Sequence, residues 1–288
     1  MIIGDSKKEV IENIKQNILD GEFNKKVEVG DPQISFEESE RAIKHFYKIR
    51  ENKAKFKIES LPALKSVKDT AKKLADALHY DGLENLPDLK SGAIITSNHF
   101  NPLDSLALRE AIKEKYGRDV CIVVQDSNLC QPGALGFLFN HIDVLPLSKS
   151  AHYIKNEFEP RLGRMIDDGV LVLIYPEEEM WFNYRKPRPV RRGAYQFAAV
   201  ANAPVISFFT EIREKEGLPV DNDEFYQVDY IAHALGVVYP DSEASVRENA
   251  KNMAEADYQM KVKAYEKHYG QKLDYKFDIT DIAGWRMV

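Results

Sequence analysis

The stretch Gly92-Ala93-Ile94-Ile95-Thr96-Ser97-Asn98-His99-Phe100-Asn101-Pro102-Leu103-Asp104 decides how the rest of the chain is read. The apolar, β-branched run over 92–96 has the length of a buried strand, and 103–115 behind it is amphipathic at helical spacing. A histidine therefore stands where a strand ends, and a carboxylate stands in the first turn of the next helix. Open α/β sheets place their sites at such junctions. In that geometry Asp104 can accept the Nδ1 proton of His99 and leave Nε2 as a base, with no serine required when the substrate brings its own hydroxyl. The same residues also read as a helix start, with Asn101 as N-cap, Pro102 at the first helical position and Asp104 satisfying free backbone donors. Spacing alone leaves both roles of Asp104 open.

Outward from this junction, strands and helices alternate. Strands are expected over 92–97, 120–125, 142–147, 170–175 and 205–210, with helices over 103–116, 133–141, 153–168 and 194–202 between them. A late strand or hairpin follows over 227–239, then a long helix over 242–269 capped by Ser242 and ended near Gly270. This order predicts an α/β fold, a layered, mixed and largely parallel sheet flanked by helices. Upstream, 6–20 reads as a helix with Ser6 as its cap and Val10, Ile11, Ile14, Ile18 and Leu19 on one face. Gly30-Asp31-Pro32 marks a turn, 35–50 a second helix, and 74–86 completes an N-terminal arm that ends at Leu86-Pro87-Asp88. Two parts are expected: an N-terminal helical basic arm over 1–88 and an α/β domain over 89–288.

The chain has 288 residues, 44% of them hydrophobic, which is enough to bury a substantial core. A formal charge of −6 and a pI near 5.7 argue against a general nucleic-acid binder. Cys121 and Cys130 match no zinc or redox spacing and read as buried or half-buried thiols in a reducing compartment. Residues 1–5 lack the pattern of a signal peptide, and no run approaches the ~20 apolar residues of a spanning helix. The expectation is a cytoplasmic protein, with a peripheral seat at the inner face of the membrane. That seat is suggested by 41–73, where eleven basic side chains stand against three acidic ones with aromatic and aliphatic residues interleaved. Such a segment can lie on an anionic membrane surface, or it can be a solvated arm docked on the acidic remainder.

A second constellation follows the apolar strand 170–175, where Pro176 leads into three adjacent carboxylates, Glu177, Glu178 and Glu179. Cations follow at Arg185, Lys186, Arg188, Arg191 and Arg192, among Trp181, Phe182, Tyr184 and several prolines. This reads as a polar substrate site beside an aromatic-lined surface, or as a solvated loop whose charges pair with one another. His141 and Asp143 could join His99 and Asp104 as metal ligands, although the spacing fits no defined metal motif. His45, His79, His152, His233 and His268 stand isolated in the sequence and read as structural or exposed.

Taken together, the chain resembles the PlsC-type glycerolipid acyltransferase superfamily, which includes 1-acylglycerol-3-phosphate acyltransferases. His99 through Asp104 fits the H-x4-D motif, and Gly133-Ala134-Leu135-Gly136-Phe137 through Val144 resembles the second block. Tyr175-Pro176-Glu177 followed by Arg192-Gly193-Ala194 resembles the third, and Ala203-Pro204-Val205-Ile206 the fourth. The four blocks stand in order over 92–210. The resemblance implies transfer of a fatty acyl group from acyl-CoA or acyl-carrier protein to a hydroxyl of a lysophospholipid or related lipid. His99 and Asp104 would be the catalytic dyad and Glu177 an acceptor-binding residue, with no metal and no tightly bound cofactor. Two departures stand out. The arginine that usually ends the second block is absent, leaving Lys149 as the nearest cation. Where the third block usually reads Pro-Glu-Gly-Thr-Arg, Glu178, Glu179 and Met180 occupy the last three positions. Arg185, Lys186 or Arg191 would then take the place of the missing arginines, or the acceptor is not a glycerol phosphate. The alternatives are a non-catalytic lipid-binding or membrane-associated protein on the same fold, and a metal-dependent hydrolase.

Overall fold

The computed structural model of the chain describes residues 6–30, 32–219 and 224–286. The N-terminal reading over 1–5 and Asp31 of the expected turn lie outside them. Helices α1 (Lys8–Leu19), α2 (Phe36–Glu51), α3 (Lys53–Glu59) and α4 (Leu61–Lys73) precede strand β1 (Leu78–Asp81). Then come β2 (Ala93–Thr96), α5 (Ser105–Tyr116), β3 (Val120–Gln125), α6 (Gly133–His141) and β4 (Val144–Leu147). A short helix α7 (Ala151–Tyr153) passes through a π-helical turn into α8 (Glu159–Asp167), near Pro160, which has no N–H to give to a regular ladder. Strand β5 (Leu171–Leu173), helix α9 (Gly193–Val200), strands β6 (Val205–Pro219) and β7 (Tyr226–Val238), and helix α10 (Val246–Tyr269) complete the order.

The strands form one sheet in the order β1-β7-β6-β2-β5-β3-β4. Strands β6, β2, β5, β3 and β4 run parallel, and β7 turns back antiparallel to β6 with β1 parallel to it at the edge. This is the layered, largely parallel α/β architecture expected from the alternation. Side chains of a strand point to opposite faces in turn, and the parallel core is apolar on both. Ile94, Cys121, Val172 and Val205 face one layer, while Ala93, Ile95, Val120, Leu171, Leu173 and Ile206 face the other. Of the two cysteines, Cys121 is buried, and burial pushes its thiol up to about 12; Cys130 is half-buried.

Several local expectations are corrected. Residues 74–86 do not complete a helical arm, because Leu78 to Asp81 pair in register with Tyr230 to His233. Gly82 ends that strand at φ +77°, where a Cβ would meet the Ala234 carbonyl oxygen at 2.5 Å. Helix α10 is capped by Ser245 rather than Ser242, through a reciprocal box with Glu248. The residue before α1 is Lys7, and Ser6 donates instead to Glu224. Val10, Ile11, Ile14 and Ile18 of α1 are buried as expected, but Leu19 is 68% exposed. The buried face of α1 packs against Trp181, Phe182, Tyr184, Phe225 and Ile282, which lie in the loop after β5 and near the end of the chain.

A polar cluster lies fully buried where α10 crosses the sheet. Lys261 Nζ meets Asp257 Oδ1 at 2.5 Å and donates to Thr96 Oγ1 at 2.9 Å, and Tyr195 donates to Asp257 Oδ2. Thr96 is the last residue of β2, so this network fixes the strand end from which His99 departs. A buried ion pair of this kind survives only when its remaining polar atoms are also satisfied, as they are here.

Candidate active site

The loop leaving β2 is held on every side before it reaches His99. Asn98 is buried, and its side chain prolongs the β2–β6 ladder by accepting from Thr210 N at 2.8 Å and donating to Thr210 O at 3.0 Å. The backbone N–H of His99 donates to Glu177 Oε2 at 3.1 Å, and the His99 carbonyl accepts from Trp181 N at 3.1 Å. Asn183 N donates to the Phe100 carbonyl at 2.7 Å. The loops after β2 and β5 thus interlock at the carboxyl ends of two adjacent strands, where an open sheet presents ligands.

His99 Nδ1 lies 2.8 Å from Asp104 Oδ2, the same oxygen that accepts from Phe100 N at 3.1 Å. Oδ1 accepts from the Tyr175 hydroxyl at 2.5 Å. The Asp104 side chain is 4% exposed and that of His99 21%, so Nε2 is the nitrogen left to meet an acceptor. The Tyr175 ring stacks on the imidazole with centroids 4.0 Å apart and planes 13° from parallel. Burial, reinforced by the Asp104 carboxylate, pushes the Tyr175 phenol well above its ordinary value, so it stays protonated and donates. Helix α5 begins only at Ser105, and Asp104 makes no side-chain cap to it. Asn101 forms the turn ahead of the helix, with Leu103 N donating to its side chain at 3.0 Å. Both readings of Asp104 therefore hold in part: it satisfies a backbone donor, but at Phe100, while its carboxylate turns back to the histidine.

Glu177 is 2% exposed and fully engaged. Arg188 N donates to Oε1 at 2.8 Å, while His99 N and the Arg188 guanidinium share Oε2, with Arg188 Nη2 at 2.9 Å. Arg188 also donates to Phe23 O at 2.9 Å and His99 O at 3.3 Å, and its guanidinium lies 4.6 Å from the Trp181 ring centre. The geometry makes Glu177 a positioning group for the His99 backbone rather than an open acceptor contact. Arg188 was read in the sequence only as one cation among several. The flanking Pro187 and Pro189, which fix its backbone, are the signal that could have singled it out.

The other expected acceptor residues divide in two. Lys186 is 5% exposed and committed to Asp281 at 2.9 Å and Asp274 at 3.2 Å, and Arg185 is committed to Glu214. These two brace the end of the chain against β6 and are not free for a substrate. Arg191 and Lys149 remain accessible: the Arg191 side chain is 60% exposed and only 3.7 Å from Glu178, and Lys149 is exposed. Glu178, at the usual glycine position of the third block, holds a left-handed backbone at φ +65°. The turn keeps its glycine-like shape while its side chain does not. His141 Nδ1 donates to the Phe137 carbonyl at 2.9 Å, and its ring stacks on Phe137. Among the described residues the group of three metal-ligand side chains is not around His99 but at Glu211, His233 and His268. His233 and His268 are therefore not isolated.

A histidine seated on a buried carboxylate at a strand end is chemically able to take a proton from a hydroxyl group. Residues 77–210 match the family model described as Acyltransferase, and this range contains all four sequence blocks. The stretch 77–210 is thus similar to an acyltransferase domain. Among solved structures it is similar to the 1-acyl-sn-glycerophosphate (LPA) acyltransferase PlsC from Thermotoga maritima, with 15% identity, a TM-score of 0.49, and 81% of this chain and 89% of that one covered. No curated protein matches the chain.

Replacing Glu178 by glycine removes the left-handed strain of a residue with a Cβ, worth ~1 kcal/mol. Glu178→Gly is therefore expected to raise the chemical-denaturation midpoint modestly, and a lower midpoint would show that the Glu178 side chain is needed by the turn.

Proposed function

We propose that the protein transfers a fatty acyl group from an acyl thioester, carried by CoA or acyl-carrier protein, to a hydroxyl of a lysophospholipid or related lipid. The observation that carries this reading is the His99–Asp104 pair at the end of β2 in a stretch similar to an acyltransferase domain. His99 Nε2 removes the acceptor's proton as the acceptor's oxygen attacks the thioester carbon; the C–S bond then breaks, and the leaving sulfur takes that proton back from the imidazolium to depart as the thiol. Asp104 holds the imidazole in the tautomer with hydrogen on Nδ1 and stabilises the imidazolium that forms. Tyr175 keeps Asp104 in place by bonding its second oxygen, and its ring limits how the imidazole can turn. No metal or tightly bound cofactor has a part in this reaction.

The acceptor-selecting side of the site differs from the family pattern. With Lys186 and Arg185 engaged elsewhere, Arg191 and Lys149 are the expected acceptor residues that stay exposed to an anionic head-group. Met180 stands where the third block usually has its arginine, with Glu178 and Glu179 just before it, which favours a lysolipid with a less negative head-group. General base catalysis supplies ~10²–10⁴-fold. Thiol release with a panel of lysolipids, and mass spectrometry of the products, is expected to show acyl transfer by the wild type and a loss of that size in folded His99→Ala. Near-wild-type transfer by His99→Ala would refute the mechanism, and no turnover of any acyl thioester by the wild type would favour the non-catalytic lipid-binding reading.

The same reading seats the protein on a membrane surface. Among the described residues no helix is long and apolar enough to cross a membrane. Helices α3 and α4 instead present Ile58 at 68%, Leu61 at 57% and Leu64 at 38% exposure, with α6 adding Leu135 and Phe137 at 43% and 42%. Lys53, Lys55, Lys57, Lys65, Lys68, Lys72 and Lys73 are exposed around them. Arg50 is not part of this surface, because it is half-buried against Phe46 and donates to the Asn140 and Ile142 carbonyls. Apolar side chains ringed by lysine suit an anionic interface. Co-sedimentation with vesicles containing phosphatidylglycerol is expected at low salt and to fall as salt rises; no binding at low salt would contradict it.

A further inference from the structure

Away from the His99 site, β6, β7 and the last turn of α10 bring three side chains together. Glu211 Oε2 lies 3.0 Å from His233 Nε2 and 3.6 Å from His268 Nδ1, and one ligand atom from each residue falls within 4.8 Å of the others. The imidazole rings of His233 and His268 stack with centroids 3.7 Å apart. Glu211 and His233 are 4% and 6% exposed, so this is a built, largely dry cluster rather than a chance meeting of surface groups. Arg213 and Asp81 flank the cluster. Arg213 holds the other Glu211 oxygen, Oε1, at 3.0 Å, leaving Oε2 to face the histidines. Asp81, the register partner of His233 on β1, places Oδ2 3.8 Å from His233 Nδ1, on the ring edge away from Glu211.

We infer that Glu211, His233 and His268 form a binding site for a divalent transition metal of the zinc class. Two imidazoles and a carboxylate are a ligand set suited to such ions, which take nitrogen and oxygen at ~2.0–2.2 Å. Tetrahedral ligands at those lengths stand ~3.4 Å apart, and the 3.0 and 3.6 Å separations bracket that value. The ion takes the place of the His233–Glu211 hydrogen bond and draws the imidazole edges off their stack. A cavity of about 150 Å³, lined by Asp81, Glu84, His233, Lys267 and His268, opens onto the cluster and gives the ion an entry path and a solvent ligand in the fourth position. Thr210, bonded to Asn98, immediately precedes Glu211, so a bound ion would fasten α10 and β7 to the strand that supports the His99 loop. The inference stands independently of acyl transfer.

The test is isothermal titration of the full chain, stripped by chelator and desalted, with zinc chloride alone. One equivalent per chain is expected to bind saturably, and His268→Ala and Glu211→Gln are each expected to weaken binding at least ~100-fold, given that even outer partners of metal ligands are worth 10–100-fold. His141→Ala should bind as the wild type does, and cobalt in place of zinc should give the intense visible absorption of a four-coordinate site. Circular dichroism checks folding; should His268→Ala unfold, Glu211→Gln decides, since it keeps the side-chain shape. The absence of saturable binding, or binding that Glu211→Gln leaves unchanged, would overturn the inference.

Discussion

The Glu177–Arg188 ion pair is the contact on which the arrangement around His99 depends. Both side chains are at most 2% exposed, and the pair lies at 2.9 Å. Two charges taken so far from water are tolerated only with nearly every other donor and acceptor filled, and removing one partner of such a pair costs ~3–5 kcal/mol. The fillings here are not local. Glu177 follows β5, Arg188 lies eleven residues on, and between them they bind the His99 backbone at its N–H and its carbonyl. Arg188 also ties in Phe23, just after α1, so the first helix is fastened to the same point. Burial lowers the pKa of Arg188, and Glu177 opposes that shift, keeping the guanidinium in its charged, donating form.

With its backbone fixed by that pair, His99 needs only its side chain to be aimed, and Asp104 does this. One carboxylate oxygen receives the imidazole and the Phe100 N–H, and the other receives Tyr175. The result is an imidazole whose orientation is set by a buried anion and whose ring is supported on one face by a tyrosine. If it acts as the proposed base, a group arranged in this way need not reorganise as charge develops on it, which is how preorganised sites lower barriers.

Much of this was legible in the sequence, for an identifiable reason. The sheet could be read because its central strands are continuously apolar and alternate with helical periods, a local signal. The contact between His99 and Asp104 could be read because both lie within six residues. What escaped depends on contacts between distant segments. Strand β1 is four residues long and mostly exposed, and only its pairing with β7 makes it a strand. Strand β6 continues past Thr210 because its polar residues Arg213 and Glu214 pair with β7 and not with the core. The commitment of Lys186 to Asp281, of Arg185 to Glu214 and of Glu177 to Arg188 could not be told from sequence, where all five cations of the loop look equivalent. His233 and His268 looked isolated for the same reason.

The central claim is that Asp104 fixes His99 with its proton on Nδ1 and Nε2 bare. Nitrogen-15 NMR of the His99 imidazole at neutral pH and above measures this directly. The account predicts the Nδ1–H tautomer in the wild type and its loss in folded Asp104→Asn protein; an Nε2–H tautomer in the wild type would contradict it.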